Sequence, residues 1–195
     1  MAKGISEFKS SIGAGFARPS LFSVEIVGKG VGSILSGSTS TIRTLSLLCN
    51  SAIIPGLNMV TTETSLDYRA KVKQKVYDDI SLSFFCTEDM AELHFFQEWM
   101  ESMVNPVTNR VGFYDSYVRN ITINKLNLSS SSGEETSGVD IDNYLTLETV
   151  LHDAYPKRID PIAMDYSSKD SIMTMNVSFG YRNYVQDWKN IVVGV

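Results

Sequence analysis

The stretch SIMTMNVSFGY, residues 171–181, alternates apolar and polar side chains along its length. Successive side chains of a β-strand point to opposite faces, so every second residue lies on the same side. One face would carry Met173, Met175, Val177, Phe179 and Tyr181, and the other Thr174, Asn176 and Ser178. The pattern predicts an antiparallel strand with one face on a core and the other in water.

The same period of two recurs in four more segments: LFSVEIV (21–27), DISLSFFC (79–86), YVRNITINKLNL (117–128) and YLTLETVLH (144–152). The predicted inward residues of three of them are Phe22, Val24, Ile26, Ile80, Leu82, Phe84, Cys86, Leu145, Leu147, Thr149 and Leu151. These segments therefore predict a mainly β protein built from antiparallel strands.

The segment 117–128 changes its apolar face part of the way along. Ile121 and Ile123 share one parity, whereas Leu126 and Leu128 share the other. An extra residue in one strand of a pair produces such a switch, so we expect a β-bulge near residues 124–125.

One segment has the period of a helix. TEDMAELHFFQEWMESM (87–103) places Met90, Leu93, Phe96, Met100 and Met103 three or four residues apart. This spacing predicts an amphipathic helix with Leu93, Phe96 and Met100 packed on the core. Thr87 is the expected N-cap, and Asn105-Pro106 would stop the helix.

The length of 195 residues suits one domain, predicted to span 1–195 as a β-sandwich or barrel flanked by one α-helix. Three stretches look irregular: the N-terminal segment 1–15 and two loop insertions near 28–41 and 129–142. The glycines of 28–41 lack a following Gly-Lys-Ser/Thr, which favours a turn or hairpin tip over a nucleotide site.

The net charge of −5 argues against tight non-specific binding to DNA or to an anionic membrane. The opening MAKGISEFKSS has no apolar signal core, and no long apolar run follows, which favours the cytosol. Cys49 and Cys86 lie far apart and are expected to be free, buried thiols.

The polar stretch LHDAYPKRI (151–159) raises the question of catalysis. The chain has only two histidines, His94 and His152, and neither has further ligands at metal spacing. A Gly-x-Ser-x-Gly elbow is absent, and Asp78-Asp79 better suits the start of a strand than a shared carboxylate site. We therefore expect no catalytic residues, cofactor or metal. The stretch is interpreted as a strand ending at His152, followed by a proline-stiffened connector whose charges face solvent or a neighbouring subunit.

The segment SLDYRAKVKQKVYDD (65–79) is predicted to be an extended hairpin arm. Strand parity would place Lys71, Lys73 and Lys75 on one face, opposite Val72, Gln74 and Val76. Two interpretations stay open at this point. The lysines protect an edge strand from aggregation, or they take part in assembly by meeting acidic groups of an adjacent subunit.

Four stretches, in the same order, resemble the major tail tube protein of contractile-tailed bacteriophages. They are GFARPSLFSVEI (15–26), IIPG (53–56), YDDISLSFFCTED (77–89) and AYPKRIDPIAMDYSSKDSIMTMNVSFGYRNY (154–184). The stretches at 28–41 and 129–142 depart from the family pattern. Each match is short, but together they span most of the chain, from residue 15 to residue 184.

The resemblance implies a tail tube fold and a structural role in the virion. Six subunits would form a ring, and rings would stack within a contractile sheath, with baseplate and tube-terminator proteins at the ends. DNA would pass through the lumen without specific binding, no membrane would be involved, and assembly would occur in the host cytoplasm. The residues expected at interfaces between subunits or rings are Arg18, Pro19, Lys71, Lys73, Lys75, Tyr77, Asp78, Lys157 and Arg158.

Two alternatives accompany this expectation. The first is a relative at the baseplate or tube end, or the tube protein of a secretion apparatus. The second, from a different class, is a small-molecule-binding β-barrel or an enzyme, which would need an apolar cavity with convergent polar groups. Self-assembly into rings or filaments would favour a tube subunit, whereas a monomer would favour the barrel.

Overall fold

The structure is a computed structural model, and it describes residues 17–27, 45–64, 67–127, 145–167 and 171–189. The three segments expected to be irregular, 1–15, 28–41 and 129–142, lie outside the described residues.

Antiparallel strands dominate the described chain. The strands are β1 (Phe22–Val27), β2 (Cys49–Ala52), β3 (Asn58–Thr64), β4 (Asp67–Val76), β5 (Ile80–Phe85), β6 (Arg119–Leu126), β7 (Leu145–Ile159), β8 (Thr174–Gly180) and β9 (Asn183–Trp188). The helices are α1 (Ala91–Met103) and the single turn α2 (Tyr114–Tyr117), and residues 45–48 form another helical turn. The mainly β fold with few helices agrees with the prediction.

Seven strands form one sheet in the order β1-β6-β7-β8-β5-β2, with β9 added to β7. The long strand β7 joins its two halves. Residues 147–152 of β7 pair with β9 as well as with β6, and residues 155–159 pair with β8. The strands β3 and β4 form a separate two-stranded hairpin.

The core contains the inward residues of both halves of the sheet, so the sheet curves around a single apolar interior. The buried members of this core are Val24, Ile26, Leu45, Ile80, Leu82, Phe84, Phe95, Phe96, Trp99, Ile121, Ile123, Leu151, Ala154, Met175, Val177 and Phe179. The alternation predicted for the strands is therefore confirmed, because the predicted face is the buried one in each of them. Phe22, Cys86 and Tyr181 are only partly covered.

The register of β6 confirms the predicted bulge. The pairing of β6 with β7 shifts between Lys125 and Leu126. Asn124 is buried next to Ile123, as expected where the strand departs from simple alternation. A second shift, between Arg119 and Ile121, was not predicted.

The helix begins later than its sequence pattern indicates. The range 87–103 was predicted, but α1 begins at Ala91, and its N-cap residue is Met90 with a left-handed φ of 51°. Thr87 is therefore not the N-cap. Its hydroxyl and backbone N–H instead donate to the carboxylate of Glu92 at 3.1 Å. These bonds hold 87–90 as a separate turn, closed by the Met90 N–H donating to the carbonyl of Thr87.

The buried face of α1 is also rotated from the predicted one. Phe96 is fully buried as expected, but its buried partners are Phe95 and Trp99, whereas Leu93 and Met100 are half-buried. Large aromatic side chains bury more apolar area than Leu or Met, so they take the innermost positions. The helix ends at Met103, which agrees with the predicted stop before Asn105-Pro106.

The polar stretch 151–159 is not a connector. Strand β7 runs through it without interruption, so the prediction of a strand ending at His152 was wrong. The strand instead bends at Asp153, whose φ is 55°. Pro156 has no backbone N–H to donate to a neighbouring strand. It is tolerated here because the register between β7 and β8 shifts directly after it, and prolines in sheets occur at such irregularities.

None of the helices in the described ranges is long and apolar enough to cross a membrane.

Candidate functional site

Within the predicted arm, 65–79, residues 67–76 form β4, which pairs with β3 as a hairpin, whereas 65–66 lie outside the described residues. The lysines of β4 do not share one face. Lys75 pairs with Met59, and Lys71 pairs with Thr62. Met59 and Thr62 are three residues apart on β3 and therefore point to opposite faces, so Lys71 and Lys75 do as well. The register shift between these pairs leaves Lys73 opposite no residue of β3, and this bulge breaks the alternation.

Three tyrosines meet where the hairpin joins the main sheet. Tyr77 follows β4, Tyr181 lies between β8 and β9, and Tyr184 belongs to β9. The ring centroids are 5.9 Å apart for Tyr77 and Tyr181, 5.6 Å for Tyr77 and Tyr184, and 6.2 Å for Tyr181 and Tyr184. All three pairs are edge-to-face, the geometry favoured by the quadrupoles of aromatic rings. We call these three residues the tyrosine cluster.

The ammonium group of Lys75 lies over this cluster. Its Nζ is 4.7 Å from the ring centroid of Tyr77 and 4.9 Å from that of Tyr184. Both distances fall within the range of cation–π attraction. Burial raises the pKa of Tyr181 to about 12, with further contributions from Tyr184 and from the carboxylates of Asp78 and Asp79. The Tyr181 phenol therefore stays neutral at physiological pH.

An ion pair lies beside the tyrosine cluster. The Nζ of Lys157, on β7, is 2.6 Å from Oδ2 of Asp79, which immediately precedes β5. The hydrogen bond to Asp79 raises the pKa of Lys157. Asp78 and Asp79 thus lie just before a strand, as predicted, but Asp79 bonds a distant lysine. Arg158 pairs with Asp160 at 2.9 Å.

The predicted interface residues fall into separate groups. Lys75, Tyr77 and Asp78 lie together at the base of the hairpin, and Lys157 joins them through Asp79. Lys71 and Lys73 are exposed farther along β4. Arg18 and Pro19 are exposed in the turn before β1, where the carbonyl of Arg18 accepts a bond from the Leu21 N–H.

Apolar side chains are exposed along the segment that leads into the hairpin and on the hairpin itself. They are Ile53, Ile54, Leu57, Met59, Val60 and Val72. Among the described residues, β3 and β4 pair only with each other, and β1 and β2 each have one partner strand. Unpaired edges and exposed apolar residues are the features through which strands join other chains.

Three charged residues of β7 are engaged in ion pairs. Asp153 is buried and bonds Nη1 of Arg182 at 3.3 Å, while Lys157 and Arg158 are held in ion pairs. Within the described ranges, no group of three His, Cys, Asp or Glu side chains could hold a metal ion. The ion pairs of β7 can fix the orientation of the neighbouring strands and of the hairpin.

Reasoning from the sequence missed Tyr181, Tyr184 and the role of Lys75. The sequence did contain a signal for the cluster. Tyr181 and Tyr184 are three residues apart, and a third aromatic residue, Tyr77, directly follows the lysine-rich strand. That spacing alone does not show that residues 75–77 approach residues 181–184.

Comparison with known proteins matches residues 17–187 to the family model described as "Phage tail tube protein". Among solved structures, a chain from the sheath–tube complex of the extracellular contractile injection system PVC, in its extended state, gives a TM-score of 0.54 at 13% identity. It covers 92% of this chain and 97% of that chain. No curated protein matches the sequence.

Two further solved structures have the same fold. A chain from the six-fold symmetrised baseplate of the anti-feeding prophage gives a TM-score of 0.56 at 10% identity, covering 90% of this chain and 98% of that chain. A chain from the tube-terminating cap of the anti-feeding prophage gives a TM-score of 0.54 at 11% identity. The alignment covers 89% of this chain and 91% of that chain.

Proposed function

Because the chain belongs to the phage tail tube protein family, we propose that six copies of this structural subunit form a ring and that stacked rings make the inner tube of a contractile tail. The match over residues 17–187 carries this proposal, since it includes every described strand except the last residue of β9. The likeness to a chain from a six-fold symmetrised baseplate supports the number of subunits.

The strand edges supply a physical reason for ring formation. Within the part of the chain that the structure describes, β1 and β2 end the order of the main sheet, and each has one edge without a partner strand. Closing a ring pairs such edges and leaves none open to further association. In the same described residues the hairpin pairs with no strand of the main sheet, so its exposed apolar residues are available to a second copy.

The interface residues divide into two roles. Lys71 and Lys73, exposed along β4, meet acidic groups of an adjacent subunit, and Arg18 and Pro19 contact a neighbour beside β1. Tyr77 and Asp78 lie at the base of the hairpin, Lys157 is joined to them through Asp79, and these residues hold the hairpin for these contacts. Arg158, exposed on β7, contacts a neighbouring subunit.

The proposed partners are further copies of the chain, a sheath protein, and baseplate and tube-terminator proteins. A solved relative in fold comes from a sheath–tube complex, which supports the sheath as a partner. Six copies with a net charge of −5 carry −30, so the ring as a whole repels DNA weakly and lets it slide through the lumen during genome ejection. The tail assembles in the host cytoplasm, and the subunit has no enzymatic activity.

One alternative has support from the comparisons. The chain from a tube-terminating cap matches this fold with the same TM-score as the tube chain, 0.54. A subunit that occupies only the end of the tube therefore remains the second candidate.

Electron microscopy of the purified protein tests the proposal. We expect hexameric rings, and tubes of stacked rings at high concentration. A protein that stays monomeric at all concentrations would contradict the tube role. Rings that never stack, together with about six copies per particle instead of many, would support the end subunit.

A further inference from the structure

We propose that Lys75 and the tyrosine cluster act as a clamp that sets the direction in which the β3–β4 hairpin leaves the main sheet, and that ring assembly needs this direction. The inference rests on the proposed function, because it concerns how the hairpin is presented to a neighbouring subunit.

Tyr184 contacts both ends of the hairpin. Its hydroxyl donates to the carbonyl oxygen of Gly56, two residues before β3, at 3.5 Å. Its ring packs edge-to-face on Tyr77, directly after β4. Since Tyr184 lies on β9 and β9 pairs with β7, both ends of the hairpin are tied to the centre of the main sheet.

Lys75 adds a contact from within the hairpin. Its ammonium group lies over both Tyr77 and Tyr184. It therefore connects the end of β4 to β9. The face of an aromatic ring attracts a cation but gives no such attraction to an uncharged chain of the same length. An arginine keeps the positive charge and stacks well on aromatic rings, so we expect Lys75→Arg to preserve the contact with the two tyrosines.

The rest of the hairpin has few means of fixing its own direction. Among the described residues, β3 and β4 form no ladder with the main sheet. A two-stranded hairpin is marginally stable by itself, so its orientation depends on its base. The Lys157–Asp79 ion pair holds the residues that follow the clamp, but both side chains are about half exposed, so solvent screens the attraction.

A fixed direction matters because a ring repeats the same contact in every subunit. Each hairpin must present its surface at the angle that the neighbour's surface requires, or the ring does not close. A pre-set hairpin also avoids the entropy cost of ordering it during assembly.

The test compares Lys75→Met with Lys75→Arg in the full chain. Lys73→Met is the matched control on the same strand for the exchange measurement only, because Lys73 is itself proposed to contact an adjacent subunit. Two measurements are made on each variant: tube yield by electron microscopy, and hydrogen exchange of the backbone amides at residues 56–58 and 75–77 in the unassembled subunit. Circular dichroism melting checks that the variants are folded.

We expect Lys75→Met to melt close to the wild type while its tube yield falls at least about fivefold, the order expected for loss of the two exposed cation–π contacts of Lys75. Amide exchange at the hairpin base should quicken by a similar factor. Lys75→Arg should restore both readouts, and Lys73→Met should leave the exchange unchanged.

Unchanged exchange in Lys75→Met, or failure of Lys75→Arg to restore it, would overturn the clamp. If exchange quickens while Lys75→Met still forms tubes normally, the claim that assembly needs the fixed direction is wrong. If the wild type itself forms no rings or tubes, the proposed function fails, and the exchange measurement still decides whether the clamp exists.

Discussion

The Nη1 of Arg182 lies 3.3 Å from Oδ2 of Asp153, and Asp153 is the residue at which β7 bends. Residues up to His152 pair with β6 and β9, Ala154 still pairs with Arg119 of β6, and residues from Tyr155 onward pair with β8. The carboxylate is buried and the guanidinium is exposed, so the pair lies at the surface of the bend. One buried acidic residue thus marks the point where a single strand passes from one half of the sheet to the other.

Substitutions at Asp153 should separate backbone strain from loss of the ion pair. Both Asp153→Ala and Asp153→Gly remove the carboxylate, but only glycine adopts a φ of 55° without steric cost. We expect Asp153→Ala to be less stable than Asp153→Gly by about 1 kcal/mol. Urea unfolding of the two variants measures the difference, and equal midpoints would show that the bend stores no strain.

Phe96 should be far more important for stability than its neighbour Gln97. Phe96 is fully buried and packs against Phe84 and Phe179, whereas Gln97 is exposed. Truncating a buried phenylalanine costs about 3–5 kcal/mol, so Phe96→Ala should sharply reduce soluble expression and the midpoint of guanidinium unfolding. Gln97→Ala is the control and should change little; similar midpoints for the two variants would mean that the buried face is misassigned.

The polar stretch on β7 should prove to be non-catalytic. His152 lies within a strand, and Lys157 is engaged with Asp79. His152→Ala and Lys157→Ala should therefore fold normally, with at most a small fall in melting temperature for Lys157→Ala. A hydrolase or transferase activity that is present in the wild type and lost in either variant would contradict this.

Charge reversal on the hairpin should block assembly without unfolding the subunit. Lys71 and Lys73 are exposed on β4, and the proposal places acidic groups of an adjacent subunit opposite them. Replacing both with Glu should turn attraction into repulsion and prevent tube formation in electron micrographs. Lys71→Gln with Lys73→Gln is the control for loss of charge alone. If the double Glu variant still forms tubes, the lysines protect an edge strand instead.

Cys49 should react slowly with alkylating reagents in the folded protein. Burial raises the pKa of its thiol from 9.0 to about 11, partly opposed by a hydrogen bond with the backbone of Ser51. Because the thiolate is the reactive form, labelling with iodoacetamide at pH 8 should become much faster on unfolding in guanidinium. Equal rates in the folded and unfolded protein would show that the thiol is not shielded.

The same shift predicts a pH dependence of stability. The folded thiol keeps its proton up to about pH 11, whereas the unfolded thiol loses it near pH 9.0. The unfolded state therefore binds fewer protons in this window, and the contribution of Cys49 to stability, complete below pH 9, is lost as the pH rises towards 11. Cys49→Ser should show a shallower decline in unfolding midpoint over this range.

Local patterns in the sequence determined the strands and their buried faces. Met175, Val177 and Phe179 are inward because alternate residues of any extended chain point the same way, and apolar side chains take the face away from water. A register shift near Lys125 was also predictable from the change of apolar parity, although the extra residue, Thr146, lies on the partner strand β7. Such features depend on residues that are neighbours in the chain.

Only the tertiary structure decided the features that depend on distant partners. Asp153 bends a strand that by its pattern could have ended at His152, because β8 and β9 are both available to pair with β7. Contrary to the expectation from the sequence, Lys75 does not share a face with Lys71, because a bulge shifts the register of β4 against β3. Its ammonium group lies over Tyr184, which is more than a hundred residues away in the chain. These relationships follow from the pairing of whole strands, which no local period encodes.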